Sequence, residues 1–184
     1  MFPDRNPCDK RRCGCYIAGM DNAIPFSAEP HDHQHCIDTA LDGAAALCTR
    51  RGVKLTALRR RVLELIWGSH QATGAYAILD ALRAENRKAA PPTVYRALEF
   101  LNAHGLIHRI ESLNAYIGCV RPDHPHAGQF LICQGCGATV ELQDEEIIAA
   151  VGRGASRLGF QALRQTVEIT GLCPDCRTNE ESTP

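Results

Sequence analysis

The sequence predicts an α+β protein in which an N-terminal winged-helix domain precedes a small α/β domain. Apolar residues recur at helical spacing through residues 39–105. After Gly105 the apolar period changes to two, which is typical of a β-hairpin. Two C-x-x-C pairs then flank a stretch with the pattern of strand, helix and strand. Short helices followed by a hairpin are the element order of a winged helix, and the cysteine-flanked stretch is the second domain.

Composition restricts the class of protein. The chain has 184 residues, of which 45% are apolar, and this is enough for a core in one ordinary or two small domains. No apolar run approaches the roughly 18 residues of a membrane helix, and no signal peptide is visible. We therefore expect a cytoplasmic protein without a membrane partner. In that reducing compartment, the ten cysteines favour metal sites over disulfides.

Charge is distributed unevenly along the chain. Residues 39–105 carry 10 basic and 5 acidic side chains. In contrast, residues 1–38 carry 4 basic and 6 acidic side chains, and residues 106–184 carry 6 basic and 10 acidic ones. Such asymmetry suggests that the basic middle segment meets a polyanion. An ordinary solvated surface is the alternative.

The first 38 residues are predicted to form a disordered tail, because Pro and Gly are scattered there without a helical or strand period. The run HDHQHC within it could bind zinc or copper weakly, or be no more than polar. We expect order to begin near Thr39 with an Ala-rich helix. The predicted boundaries are 39–120 for the winged helix, 121–127 for a connector, 128–178 for the α/β domain and 179–184 for a short C-terminal tail.

The next helices follow from their caps and apolar stripes. Thr56 is a candidate N-cap for a second helix, whose buried stripe should contain Leu58, Val62, Leu65 and Ile66. A third helix places Ile78, Leu79 and Leu82 on one face. Two prolines open the fourth helix, PPTVYRALEFLNAHG, and Gly105 ends it. Its inward face should hold Val94, Leu98 and Leu101, and its outward face Thr93, Tyr95, Arg96 and Glu99.

The fourth helix is the predicted DNA reader. In a helix-turn-helix, the last helix enters the major groove and its outer face reaches the bases. Arg96 is placed to bind the O6 and N7 of a guanine, and Tyr95 to contact a phosphate or a thymine methyl. At the start of the second helix, Arg59, Arg60 and Arg61 could hold phosphates. The alternative is a plain helical domain with an exposed Tyr-Arg pair.

The two C-x-x-C pairs predict one structural zinc site. Cys133 and Cys136 precede the predicted helix of the second domain, and Cys173 and Cys176 follow it. Four thiolates at about 2.3 Å from one ion form a closed tetrahedral zinc site. A thioredoxin-type dithiol would need only one such pair.

A second set of metal-type side chains is spread over both domains. His108 lies on the first hairpin strand, Cys119 closes the second, His124 and His126 lie in the connector, and Glu141 ends a later strand. Imidazole, thiolate and carboxylate together suit zinc. A metal there would tie the domains together, unless each residue is an ordinary surface or core residue.

The motifs PPTVYRAL, HRIES, FLICQGCG and GLCPDC, in this order, resemble the Fur superfamily of metal-dependent regulators, and most closely its zinc uptake regulators (Zur). The resemblance covers about residues 39–177. It implies a homodimer, with a winged helix and a dimerisation domain, that represses zinc-uptake genes by binding double-stranded operator DNA when zinc is abundant. No nucleophile–base pair or phosphate loop is visible in the sequence, so we expect neither catalysis nor a small-molecule substrate.

Carried over by motif position, the resemblance implies two zinc ions per subunit. The structural ligands would be Cys133, Cys136, Cys173 and Cys176, and the regulatory ligands His108, Cys119, His126 and Glu141. It also implies DNA contacts at Arg96 and Tyr76, beside the candidates Arg59, Thr93 and Tyr95. The chain departs from the pattern in lacking the His-rich run that iron sensors place before the first C-x-x-C, in having no histidine in ALRQTVEITG, and in having Ala57 where relatives often carry Pro.

Two other functions are alternatives to zinc-dependent regulation, and each can be distinguished from it by experiment. One is an iron, manganese or peroxide sensor of the same superfamily, which a thiolate ligand at Cys119 disfavours. The other is a thiol redox protein that uses the C-x-x-C pairs. Metal analysis and a turnover assay would distinguish them.

Overall fold

The structure, a computed structural model, describes residues 26, 33–85, 89–124 and 126–181. In chain order, the first part contains α1 (His33–Arg50), α2 (Ala57–Trp67), β1 (Thr73–Gly74), α3 (Ala75–Ala84), α4 (Pro91–Ala103), β2 (Ile107–Ile110) and β3 (Ala115–Gly118). The second part contains β4 (Gly128–Cys133), β5 (Thr139–Glu141), α5 (Glu145–Arg157), β6 (Thr166–Gly171) and α6 (Pro174–Glu181). The predicted α+β class, with helices and a hairpin followed by a small α/β unit, is confirmed.

Helix α1 begins at His33 rather than near Thr39, so the predicted tail was too long. The reason is that Ile37 continues the apolar stripe of Leu41, Ala44 and Cys48 by one further turn, and all four are buried. Gln34 also donates to Asp38 across one turn, at 3.1 Å. The rest of the predicted tail, except Phe26, lies outside the described residues. At the other terminus, α6 extends through Glu181 into the predicted C-terminal tail.

The caps of α2 and α4 are as predicted. The Thr56 hydroxyl accepts from the Arg59 N–H at 3.4 Å, at the N-terminus of α2. Prolines occupy the first positions of α4, and Gly105 follows its last turn with a φ of 67°. The core of this part comes from the inward faces of α1–α4 and from the first hairpin strand. Its fully buried members include Val62, Ile66, Leu82, Leu98, Leu101 and Ile107.

Two three-stranded sheets complete the fold. The order β1-β3-β2 is antiparallel throughout, and its β2–β3 hairpin is the wing. In the second sheet, of order β5-β4-β6, β4 pairs antiparallel with β5 and parallel with β6, with α5 between β5 and β6 in sequence. Among the described residues, no helix combines the length and apolar character needed to cross a membrane.

The two sheets are joined by a small apolar cluster and by backbone contacts. Ile110 of the wing packs with Phe130 and Ile132 of β4. Gln71 and Ala138 form an isolated antiparallel bridge, and the Gln71 side-chain amide donates to the Cys136 carbonyl at 2.6 Å. The helical part is therefore docked directly on the turn that carries the first cysteine pair.

Candidate metal centres and nucleic-acid interface

The four cysteines of the C-x-x-C pairs meet at one end of the second sheet. Cys133 ends β4, Cys136 lies in the following turn, and Cys173 and Cys176 lie just after β6 and on α6. Their sulfur atoms all lie within 4.8 Å of one another. The Cys136 and Cys173 sulfurs are 3.8 Å apart, which matches the S–S edge of about 3.8 Å in a zinc tetrahedron with bonds of about 2.3 Å.

Backbone N–H groups stabilise the thiolate form of Cys133 in this cluster. The Cys173 N–H donates to the Cys133 sulfur at 3.3 Å. Burial acts to raise the pKa of Cys133, but N–H donors of Cys173, Cys136 and Gly135 outweigh it and bring the pKa to about 6. In contrast, the adjoining Cys173 thiol raises the pKa of Cys176 to about 12. Four simultaneous thiolates therefore require a cation among them.

The second cluster joins both parts of the molecule. His108 comes from β2, Cys119 follows β3, His126 lies in the connector and Glu141 ends β5. One ligand atom from each lies within 4.8 Å of the others. Cys119 and Glu141 are buried, whereas the imidazoles are half-buried. This convergence brings together residues up to 33 positions apart, counting from His108 to Glu141.

Hydrogen bonds fix which atoms point into the second cluster. His126 donates from Nδ1 to the His124 carbonyl at 2.7 Å, so that its Nε2 faces the cluster. The Glu141 Oε2 accepts from the Val120 N–H at 3.2 Å, which leaves Oε1 for the imidazoles. That oxygen lies 2.6 Å from His126 Nε2 and 3.0 Å from His108 Nε2. The His124 side chain itself lies outside the cluster.

The nitrogen–nitrogen and sulfur–nitrogen distances in the second cluster are close to those around a tetrahedral zinc ion, whereas the Glu141 oxygen lies at hydrogen-bond distance from both imidazoles and must move outward by a few tenths of an ångström to bind one. The two imidazole Nε2 atoms are 3.1 Å apart, close to the N–N edge of about 3.3 Å for zinc–nitrogen bonds of about 2.0 Å. The Cys119 sulfur lies 3.6 Å from His126 Nε2, as an S–N edge of about 3.6 Å requires. The donor set of two imidazoles, a thiolate and a carboxylate is also one that zinc accepts.

Protonation opposes the binding of a cation at this cluster. Burial, followed by the nearby Glu141 carboxylate, raises the pKa of the Cys119 thiol. The hydrogen bond to Glu141 raises the pKa of His126. Burial acts to raise the pKa of Glu141, but hydrogen bonds from His108 and His126 outweigh it and bring the pKa to about 2. A metal ion entering this site must therefore displace protons from the Cys119 thiol and from His126.

The outer face of α4 is open to solvent. Thr93, Tyr95 and Arg96 are exposed there, and among the described residues Arg96 has no hydrogen bond or ion pair. Tyr76, at the start of α3, is 70% exposed. These side chains are accessible to a partner at the positions that the sequence indicated.

The three consecutive arginines of α2 differ in their surroundings. Arg59 stacks on Phe100, with its guanidinium carbon 3.5 Å from the ring centroid, and donates to the Lys54 carbonyl. Arg60 lies 3.7 Å from the Asp42 carboxylate. Arg61 is bound between Glu64 and Glu85, which raises its pKa. Arg61 is therefore committed to the fold, contrary to the expectation that it holds phosphate.

Comparison with known proteins places this geometry in a family. The model of the ferric uptake regulator family matches residues 50–170. The chain belongs to the ferric uptake regulator (Fur) family. The zinc uptake regulation protein of Escherichia coli (strain K12) is 40% identical over 134 residues, which are 72% of this chain and 78% of that protein.

Two solved structures are similar over most of the fold. A zinc uptake regulator complexed with zinc and DNA has a TM-score of 0.75 at 38% identity, covering 79% of this chain and 97% of its own. Holo XcZur has a TM-score of 0.71 at 40% identity, covering 77% and 99%. The Fur-family architecture thus extends over both parts of the molecule.

Two contacts of this Fur-family chain escaped the sequence reasoning. The first is Gln71, whose amide joins the helical part to the four-cysteine turn. The second is the His124 carbonyl, which orients His126. The histidine spacing HPH was the only sequence signal for the second contact, and no signal pointed to Gln71, because its partner is 65 residues away.

Proposed function

We propose that this Fur-family chain is a zinc-responsive transcriptional regulator, which represses zinc-uptake genes by binding their operator DNA when zinc is bound. The observation that carries the proposal is the convergence of His108, Cys119, His126 and Glu141 from both parts of the molecule. A ligand set shared between a winged helix and a second domain couples the occupancy of the site to their relative orientation. The buried thiol at Cys119 favours zinc over iron or manganese.

The two clusters have different roles in this proposal. The ligands Cys133, Cys136, Cys173 and Cys176 all lie at one end of one sheet, so zinc there serves the fold. The four-residue set of His108, Cys119, His126 and Glu141 is the regulatory site. A zinc ion bound there links the wing to the second sheet and favours one angle between the two domains. Each subunit then holds two zinc ions.

DNA recognition is assigned to α4. Arg96 is exposed and free of partners in the described part of the chain, as a guanine-reading arginine must be. Thr93, Tyr95 and Tyr76 lie on accessible faces nearby, suited to phosphates or base edges. Arg59 is held over Phe100, where its guanidinium is oriented for a phosphate. In a dimer, the two α4 helices would enter successive major grooves, about 34 Å apart.

The proposed homodimer rests on an uncovered apolar surface of the second domain. None of the residues of α5 is buried, although Ile147, Val151 and Ala155 recur on one face and the exposed Leu158 follows directly after the helix. Other large apolar side chains of this domain are also exposed, namely Phe160, Leu163, Ile169 and Leu172. A patch of this kind is characteristic of a protein–protein interface, and β6 lies beside it as an edge strand of the sheet that the described residues form.

The relatives support the same function. The E. coli relative is a zinc uptake regulation protein, and the regulator with the TM-score of 0.75 was solved with zinc and DNA bound. The similarity of the fold to a regulator solved with zinc and DNA supports DNA binding by this chain. The partners in this proposal are operator DNA and a second copy of the chain, without an enzymatic reaction.

Operator binding measured against buffered free zinc tests the proposal. Labelled operator DNA should bind with an affinity that rises as zinc fills the second site, whereas iron and manganese should have little effect. Zinc-independent binding, or a stronger response to iron or manganese, would contradict it. A dithiol or peroxide turnover assay on the same protein separates the redox alternative.

A further inference from the structure

Glu168 of β6 makes a contact between the domains that uses no metal ligand. Its carboxylate accepts from the Glu111 N–H at 2.7 Å and from the Ser112 N–H at 3.1 Å. These two amides belong to the turn at the tip of the wing, 57 and 56 residues earlier in the chain. The contact thus ties the second sheet to the turn that joins the two strands of the hairpin.

The sheet register places this contact beside the regulatory cluster. Phe130 of β4 pairs with Glu141 on one side and with Glu168 on the other, so the three residues form one row across the sheet. Residues in one row project from the same face. The Phe130 ring packs on Ile110 of the wing. The hairpin is therefore attached to the second sheet at three adjacent residues, namely Glu141, Phe130 and Glu168.

Each carboxylate of this row accepts from backbone N–H groups of the winged-helix domain. Glu141 accepts from Val120, just beyond the second wing strand, while its other oxygen faces the histidines. Glu168 accepts from both amides at the turn. Because the two oxygens of Glu168 bind two neighbouring N–H groups, they restrict both translation and rotation of the turn. Hydrogen bonds to an ionised carboxylate are also stronger than hydrogen bonds between neutral groups.

The turn that Glu168 contacts has a defined shape. The Asn114 N–H donates to the Glu111 carbonyl at 3.2 Å, and Asn114 has a φ of 46°. Arg109 donates to the Asn114 side chain at 3.1 Å and lies 3.2 Å from the Glu111 carboxylate. Since Arg109 is adjacent to His108 on β2, a shift of the turn is transmitted through one short strand to a regulatory ligand.

We infer that Glu168 is a positioning residue, which holds the wing in the orientation where His108 and Cys119 meet His126 and Glu141, and so sets the zinc concentration at which the protein binds its operator. The inference rests on the proposed zinc-responsive function. Burial acts against the ionised form of Glu168, but hydrogen bonds from Ser112 and Glu111 outweigh it and lower its pKa. The carboxylate is therefore charged at neutral pH.

Amide hydrogen exchange tests the contact itself. Glu111 and Ser112 are exposed residues, so their amides should exchange quickly unless Glu168 binds them. In the zinc-loaded protein, Glu168→Ala should speed exchange at these two amides by roughly ten- to a hundredfold, with other wing amides unchanged. Glu168→Asp should leave part of the protection, and Glu145→Ala, at an exposed position on α5, should have no effect. Unchanged exchange at both amides in Glu168→Ala would overturn the inference.

Operator binding tests the positioning role. Glu168→Ala should keep both zinc ions at saturation but shift the free zinc for half-maximal operator binding upward by about three- to tenfold. An unshifted zinc curve, despite faster amide exchange, would overturn the role. If the unmodified protein bound DNA without regard to zinc, the proposed function would fail, whereas the exchange result would still report on the contact separately.

Discussion

Replacing Cys119 by serine should give a folded protein that keeps the four-cysteine zinc but loses its response to added zinc. Cys119 is 3% exposed, and its sulfur lies 3.6 Å from His126 Nε2. Serine is smaller, and its hydroxyl keeps its proton at neutral pH, so it is a poor zinc ligand. Burying one hydroxyl there should cost about 1 kcal/mol, a small part of a typical stability of about 5–15 kcal/mol.

The size of the effect follows from the position of the thiol among the ligands. Loss of an outer hydrogen-bond partner alone weakens metal binding by about 10–100-fold. Because Cys119 points directly at the other ligands, its loss should cost at least about 100-fold, or about 2.7 kcal/mol. With a coupling of about 1–3 kcal/mol per site, operator affinity at a zinc level that saturates the unmodified protein should fall by about 5–150-fold for each of the two sites that the dimer loses.

Fluorescence anisotropy of a labelled operator, recorded against buffered zinc, measures this loss. Zinc content and sedimentation establish that the variant retains its structural metal and its assembly state. Cys48→Ala is the matched control, since Cys48 is equally buried but lies in the helical core away from both clusters. A Cys119→Ser protein with an unaltered zinc-dependent operator curve would refute the regulatory role of this cluster.

Three other predictions concern the four-cysteine site, the DNA face and pH. Cys133→Ser should unfold the second domain, seen by circular dichroism and sedimentation, because structural zinc contributes on the order of 10–16 kcal/mol in small zinc domains; a stable zinc-free dimer would contradict this. Arg96→Ala should lose about 1–3 kcal/mol of discrimination between operator and other DNA in competition binding. Arg59→Ala should instead lower the affinity for all DNA sequences evenly and reduce the slope of log affinity against log salt by about 1. Unchanged operator preference in Arg96→Ala would exclude α4 as the reader. Lowering the pH from about 8 to 6 should weaken zinc binding at the second site, measured by chelator competition. The reason is that Cys119 and His126 have raised pKa values and must release protons to bind metal. A zinc affinity that did not depend on pH would argue against these ligands.

Local patterns in the sequence predict most of the elements. The stripe of Val94, Leu98 and Leu101 is buried as expected, and the outer face of the same helix is exposed. Thr56 and Gly105 mark helix ends through their own side-chain and backbone chemistry. Such features depend on neighbours within a few residues, so they can be read from the chain directly.

Short or weakly patterned elements were missed. Strand β1 has only two residues, Thr73 and Gly74, and exists because the far edge of β3 accepts it. Helix α6 has no apolar stripe of its own, and it was read as a cysteine motif followed by a tail. In α1, the first turn is helical because Ile37 packs into the core. The polar residues around Ile37 hid this apolar position in the sequence.

Contacts between distant residues could not be derived from spacing. His108 and Glu141 were singled out by residue type, but only the folded chain shows them 3.0 Å apart. The sequence analysis did not single out Glu168, because its contact with the wing depends on the register of β6 against β4. Gln71 likewise has its partner in another domain. Register and docking angle are properties of the whole fold.

Linkage between zinc and DNA is the most direct test of the proposed mechanism. Zinc affinity at the second site, measured by chelator competition, is compared with and without saturating operator DNA. The reciprocal measurement is operator affinity with and without zinc. The proposal requires the zinc ratio to be about 5–150-fold per site, and the operator ratio to equal the product of the ratios at the two sites of the dimer, because coupling free energy is shared by the two ligands. Zinc affinity that did not change in the presence of operator would contradict the claim that this cluster controls DNA binding.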